Sequence, residues 1–355
     1  MCLLYIFMPK SSFSETEKRY LQTAPDISFE NIKSGKFSAD FEKFLADQTP
    51  MRKFFISVNA YFELLKGNNG SNGIYLGKDG YLIEKPFDRK DRFDTNMKRI
   101  LSFTEKAGEP VTLVSVPSKG YILSDKLPCN SLEYSDKDYS ERLKSISENT
   151  FKYIDLIDIF KSSAGETQIY YKTDHHWTSD GAFLAYREIC KQMNLKTPDI
   201  NNYNIETYHG FYGTSYSKAC YTLTKPDDVK LYINKKTNGK ADITITEGKK
   251  ETKSDNLFFK NHLDEGDKYL TFLDGNHSKV TIKTGNSGGR LLLIKDSFAH
   301  CLAPFLSEQY SEIVMVDLRY FKKGLTELIK EENITDIMLL YSIENLATSR
   351  DIIFS

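Results

Sequence analysis

The sequence predicts an α/β protein with a central sheet, and three observations carry that prediction. From about residue 90 onward, apolar runs of strand length alternate with stretches of helical period. The strand-like runs fall at 111–116, 153–159, 291–294, 313–316 and 337–341, with helix-like stretches near 93–107, 181–193 and 324–332. In the second helical stretch Ala182, Tyr186, Ile189 and Met193 share one face, with Phe183 and Cys190 beside them. A chain of 355 residues that is 40% hydrophobic can bury the core such a sheet requires.

The segments leading into the sheet are of other kinds. Residues 3–8 (Leu-Leu-Tyr-Ile-Phe-Met) form an apolar run stopped by Pro9 and Lys10. It is far too short to cross a bilayer, which takes about 20 apolar residues. It reads either as the last turns of a signal anchor, though without the usual basic lead, or as an apolar start packed on the body. Residues 11–60 are polar and charged, with helical spacing at Phe37, Phe41, Phe44 and Leu45 and breaks at Pro25 and Pro50, and read as a helical arm. Residues 67–73 are rich in Gly and Asn and form a loop. After it, Ile74-Tyr75-Leu76 and Tyr81-Leu82-Ile83 flank Gly77-Lys78-Asp79-Gly80, a hairpin with its turn signal. The chain thus divides into 1–90, the arm and hairpin, and 91–355, the α/β domain. Within the latter, short alternating runs such as Leu231, Ile233 and Ile243, Ile245 make residues 228–284 a β-rich insertion.

Composition removes several functions. Lys and Arg number 48 against 49 Asp and Glu, so no charge excess recommends nucleic acid as a partner. The five cysteines are scattered without a Cys-x-x-Cys pair, which signals buried thiols and neither a disulfide framework nor a zinc site. No cofactor is implied, since 67–73 lacks the Lys-Ser/Thr ending of a phosphate loop.

Two clusters can carry chemistry. Thr173-Asp174-His175-His176-Trp177-Thr178 puts a carboxylate beside two imidazoles and the sole Trp, just ahead of a helix. A carboxylate can hold one ring tautomer while the other ring nitrogen takes a proton. The plain alternative is a helix cap with surface histidines. The second cluster is 290–300, where Leu291-Leu292-Leu293-Ile294 runs into Lys295-Asp296-Ser297-Phe298-Ala299. That pattern sets Ser297 at the C-terminal end of a strand and the start of a helix, where backbone amides could stabilise an oxyanion. Here too a cap without chemistry competes. A serine hydroxyl needs an adjacent base to attack an ester, so the two clusters together suggest Ser297 as nucleophile, His176 as base and Asp174 as its orienter. Spacing alone does not choose between His175 and His176. The serines of 213–217 rank lower because no apolar strand leads into them, and Asn276-His277 reads as a turn first and a rim of the site second.

At these residues the sequence resembles the DHHW family, whose tetrapeptide stands here as Asp174-His175-His176-Trp177, and through it the alginate O-acetyltransferase proteins of SGNH type. The likeness runs through Ser14, Glu15, Glu17, Lys18, Arg19, Tyr20 and Leu21, the 77–82 hairpin, the DHHW block and the stretch from Lys295 to Arg319. It implies an SGNH-like three-layer sandwich with the Asp-x-His element ahead of the serine block, a reversal of the usual order. It implies the triad Ser297, His176 and Asp174, and leaves Arg319, Asn345, His175, Trp177 and Asn276 as oxyanion or substrate candidates. Lys295 stands where many SGNH serine blocks have Gly, a departure that bears on the oxyanion geometry.

The activity so implied is O-acetyl transfer through a serine acyl-enzyme onto a cell-surface or secreted polysaccharide. An extracytoplasmic location, an N-terminal anchor and a membrane-bound acyltransferase as acetyl donor would go with it. Three other functions compete: a carbohydrate acetylesterase using the same triad, a metal-dependent phosphoesterase with Asp174, His175 and His176 as ligands alongside Asp158 or Asp296, and a non-catalytic polysaccharide-binding assembly protein.

Overall fold

A computed structural model describes residues 9–14, 19–87 and 90–354; the apolar run 3–8 and Glu15, Glu17 and Lys18 lie outside them. The helical arm comprises α1 (Lys36–Asp47) and α2 (Arg52–Leu65). One face of α2 seats Ala60 against Ile74, Leu82 and Tyr221, while Ser57 bonds Thr222 and the Tyr61 hydroxyl accepts from the Leu223 amide. Among the described residues no helix is long and apolar enough to cross a membrane.

The expected hairpin is β1 (Ile74–Leu76) paired antiparallel with β2 (Leu82–Glu84). It is not a detached appendage of the arm. The Leu82 amide donates to Lys172 O at 2.8 Å, which ties β2 to the loop carrying the DHHW block across the boundary drawn at residue 90.

The body is then α3 (Lys90–Ala107), β3 (Val111–Val116), α4 (Asp136–Ser147), β4 (Lys152–Asp155), α5 (Ile157–Ser163) and α6 (Ser179–Met193). After them come β5 (Tyr203–Phe211), β6 (Asp227–Asn234), β7 (Lys240–Glu247), β8 (Lys250–Asn256) and β9 (Lys279–Lys283). The chain closes with β10 (Arg290–Lys295), α7 (Ala299–Leu306), β11 (Glu312–Val316), α8 (Leu325–Glu331), β12 (Asp336–Ser342) and α9 (Ile343–Thr348). Eight strands make the main sheet in the order β8-β7-β9-β11-β10-β12-β3-β4. From β11 to β4 every pairing is parallel, and β9, β7 and β8 extend that edge antiparallel. Three strands of the β-rich stretch 228–284, β7, β8 and β9, therefore belong to the central sheet, while β5 and β6 form a separate ribbon.

Alternation along β10 explains the three layers. Leu291 and Leu293 join the core under α6 and α7, whereas Leu292 and Ile294 point to the opposite core under α3, α8 and α9. On α3 the apolar side chains Phe93, Met97, Ile100 and Phe103 recur at helical spacing and fill that second core. One expected strand is shorter than its apolar run. Asp155 Oδ1 accepts from the Ile157 amide at 2.9 Å, a local side-chain turn at the end of β4, and the chain from Ile157 continues as α5 instead of prolonging the strand.

Candidate active site

Ser297 sits in the turn after the central strand β10, and His176 and Asp174 lie in the loop before α6, whose N-cap Thr178 accepts from the Gly181 amide at 3.1 Å. The sheet brings the two segments together. His176 Nε2 lies 2.7 Å from Ser297 Oγ, and His176 Nδ1 lies 2.6 Å from Asp174 Oδ1. That spacing suits proton transfer from the serine to an imidazole whose far nitrogen is held by a carboxylate. Between the two histidines, it is His176 that reaches the serine.

Every acceptor direction of the Asp174 carboxylate is used. Oδ1 also accepts from the His176 amide (2.9 Å), and Oδ2 accepts from the Thr214 amide (2.7 Å) and hydroxyl (3.0 Å). Burial opposes the charge on Asp174, but the neighbouring imidazoles, the His176 bond and the Thr214 amide outweigh it and hold the carboxyl well below its ordinary range. Thr214 comes from the 213–217 segment that ranked low as a source of the nucleophile. Its approach requires Gly213, because a Cβ there would lie 2.1 Å from Asp174 Cβ.

Two buried groups position the DHHW loop, and local sequence does not flag either. Asp227 accepts from the amides of Lys172 (2.8 Å) and Thr173 (2.7 Å) and from the Thr173 hydroxyl (2.6 Å). Lys119, wholly enclosed, donates to the Asp174 carbonyl at 2.8 Å and pairs with Glu84 at 3.6 Å. A third residue, Tyr269, stacks on His176 with ring centroids 4.0 Å apart and donates its hydroxyl to Ser297 O at 3.2 Å.

The expected oxyanion and substrate candidates separate into several roles. Trp177 is fully buried and donates Nε1–H to Phe298 O at 3.1 Å, so it anchors the nucleophile turn and is closed to substrate. Asn345 donates to Asp296 Oδ2 at 2.8 Å, which also accepts from the Ser342 amide at 2.7 Å. Arg319 grips Asp317 through Nε (2.9 Å) and Nη2 (2.6 Å), and Nη2 also donates to Asn276 Oδ1 at 2.8 Å. Asn276 thus serves Arg319. Behind them Lys295 Nζ, 2% exposed, reaches Asp317 at 3.0 Å and His300 at 2.8 Å. Burial pushes the Lys295 ammonium and the His300 imidazole down from their ordinary values.

Two of the backbone amides at this helix start, those of Phe298 and Ala299, are already engaged. Phe298 N donates to Asp296 Oδ1 at 3.1 Å and Ala299 N to Asp296 O at 3.2 Å. Ser297, His175, Arg319 and Asn345 share a cleft of about 260 Å³ with Lys119 and Lys218. Arg319 and Asn345, though engaged, face the same space as the serine.

A metal at this point would compete with those bonds. Asp174, His175 and His176 can each bring a donor atom within 4.8 Å of the others. Yet Asp174 already accepts four hydrogen bonds, and the further ligands considered are elsewhere: Asp158 is exposed on α5, in a separate depression with Lys144 and Glu188, and Asp296 is spent on Phe298, Ser342 and Asn345.

Comparison with known proteins supports the fold and part of the chain. Residues 85–260 match the family model described as the SGNH hydrolase-like domain of the acetyltransferase AlgX, a range that includes Asp174 and His176 and stops short of Ser297. Probable alginate O-acetylase AlgJ of Pseudomonas syringae pv. tomato is 23% identical over 176 residues, 47% of this chain and 45% of that protein. The AlgJ of Pseudomonas fluorescens is 23% identical over 180 residues, again 47% and 45% of the two chains. This chain therefore matches less than half the length of those relatives. In three dimensions it is similar to a DHHW family protein from Eubacterium siraeum (TM-score 0.67, 24% identity, 80% of this chain and 97% of that one). It is also similar to Bacillus cereus PatB1 carrying a sulfonyl adduct (TM-score 0.68, 21% identity, 79% and 98%). The resemblance to DHHW and alginate O-acetyltransferase SGNH-like proteins, and the SGNH-like fold, stand on these matches.

Proposed function

We propose that this chain is an O-acetyltransferase that carries an acetyl group on Ser297 and delivers it to a polysaccharide hydroxyl. The observation that carries the proposal is the Ser297–His176–Asp174 chain, with its 2.7 and 2.6 Å hydrogen bonds. The relatives named as probable alginate O-acetylases favour acetyl as the acyl group and a polysaccharide as the acceptor.

In the first half-reaction Ser297 Oγ attacks the carbonyl of an acetyl ester or thioester donor as its proton passes to His176 Nε2. The donor's C–O or C–S bond then breaks, and its leaving group takes that proton. In the second, a sugar hydroxyl gives its proton to His176, its oxygen attacks the acetyl carbonyl, and the Oγ–C bond breaks as Oγ is reprotonated. Asp174 keeps Nδ1 protonated throughout and stabilises the imidazolium. An extracytoplasmic location and a membrane-bound acyltransferase as donor belong to the same reading.

With water as acceptor, the same machinery is a carbohydrate acetylesterase. The deciding experiment supplies a chromogenic acetyl ester with and without an oligosaccharide. Acetylated sugar is the expected product; acetate released at an unchanged rate with no acetylated sugar overturns transfer. Fluorophosphonate labelling at any residue but Ser297 overturns the site.

A further inference from the structure

Within the DHHW block, the triad leaves His175 without a task. Its ring lies beside His176 with centroids 3.8 Å apart and planes 38° from parallel, and its edge faces Phe298. Its side chain is 35% exposed, against 8% for His176, and it lines the same cleft as Ser297. His175 Nδ1 lies 2.6 Å from Thr214 Oγ1. Thr214 Oγ1 also lies 3.0 Å from the Asp174 carboxylate, the stronger acceptor, and we assign its single hydrogen to that bond, so that toward His175 the same oxygen acts as acceptor. The His175 proton therefore sits on Nδ1. Partial enclosure and the neighbouring His176 push this imidazole down from its ordinary value, so it is neutral at ordinary pH. A neutral ring protonated on Nδ1 offers Nε2 as a bare acceptor.

We propose that His175 reads the acceptor: its Nε2 accepts a hydrogen bond from the hydroxyl next to the one that attacks, so the site favours acceptors with vicinal hydroxyls over isolated alcohols and over water. The proposal rests on the acyl-transfer reading of Ser297. Two imidazoles side by side match two adjacent hydroxyls on one sugar ring. The first gives its proton to His176 and bonds to the acetyl carbon, and the second keeps its proton and is oriented by His175. Water can satisfy the first position but cannot span both. His175 moves no proton in this scheme; its contribution is to place the attacking oxygen.

The test charges the full chain with a chromogenic acetyl ester and offers two acceptors, a methyl hexopyranoside and its deoxy analogue from which every vicinal pair has been removed. The quantity read is the ratio of acetylated sugar to free acetate. For the wild type that ratio is expected to fall roughly tenfold from the first acceptor to the second, the effect of one hydrogen bond. His175→Asn, which loses the acceptor at the ring's far edge, is expected to erase the difference; His175→Gln, which restores an oxygen there, recovers part of it. Equal ratios for the two acceptors with the wild type overturn the proposal, as does a His175→Asn protein that still discriminates. If His175→Asn fails to fold, the wild-type comparison alone decides. A wild type that never takes an acyl group on Ser297 overturns the acyl-transfer reading, and this proposal with it.

Discussion

Tyr269 lies flat on His176, with ring planes only 9° from parallel, while its hydroxyl donates to the carbonyl of Ser297. One side chain therefore fixes the base and the backbone of the nucleophile together. Tyr269→Phe keeps the stack and loses the bond, and is expected to slow chromogenic acetyl-ester turnover about threefold to tenfold. Tyr269→Leu removes the stack as well and should cost more. Equal rates for Phe and Leu would show that the stack does not position His176.

Asp174→Asn leaves the shape of the loop but loses the acceptor that holds His176 Nδ1–H. Turnover is expected to fall by about three to four orders of magnitude, as such changes do in serine triads. Ser297→Ala should abolish fluorophosphonate labelling. A residual rate within tenfold of wild type for Asp174→Asn would remove Asp174 from the triad.

Gly213→Ala forces a methyl group to within 2.1 Å of Asp174 Cβ and 2.4 Å of its Oδ2. The carboxylate must shift, and it cannot do so while keeping its bonds to Thr214 and His176. Activity is expected to fall at least 100-fold, since displacements near 1 Å at a reacting group cost about that much. The readout is turnover beside a thermal melt, the loss in rate exceeding what unfolding explains.

Lys295 and Asp317 are both enclosed, 2% and 1% exposed. Lys295→Met strands the Asp317 charge against Arg319 alone and should destabilise the fold by about 3 kcal/mol, within the range for breaking a buried pair. Urea unfolding followed by circular dichroism measures it.

His262 bonds Glu265 at 2.7 Å and Asp274 at 2.6 Å, and His277 bonds Glu247 at 3.0 Å in the turn that holds Asn276. Burial disfavours the His262 imidazolium, but Glu265 and Asp274 outweigh it and raise the group above 6.5. A raised histidine stabilises most below the unfolded value and loses that contribution as pH climbs through the folded one. Protection of the amides of Asp274 to His277, measured against their intrinsic exchange rates, should therefore fall as pH rises above about 6.5, and His262→Gln should remove that pH dependence.

How much of this was legible in the sequence differs from residue to residue. Ser297 announced itself because four apolar residues of a doubly covered strand run straight into it, and His176 because acid and imidazoles are adjacent in the chain. Their partners did not. Thr214, Asp227 and Lys119 act through bonds to residues 40, 54 and 55 positions away, and nothing in their own neighbourhoods marks them. The strand expected at 153–159 ended early because the Asp155 side chain bonds the Ile157 amide and turns the chain there, a choice that apolar periodicity does not register. Trp177 looked like part of a binding surface, yet its position is decided by the turn it must support.

The hydrogen bond between His176 and Ser297 joins residues 121 positions apart. During synthesis the loop with the base emerges long before the strand that delivers the hydroxyl. That strand goes into the middle of the sheet, between β11 and β12, both of which follow it in the chain. The reactive geometry is therefore expected to form only after the last strand has been inserted, which would make acylation a readout of finished folding: a truncated chain lacking residues 336–342 holds every member of the triad and is expected to take no acyl group.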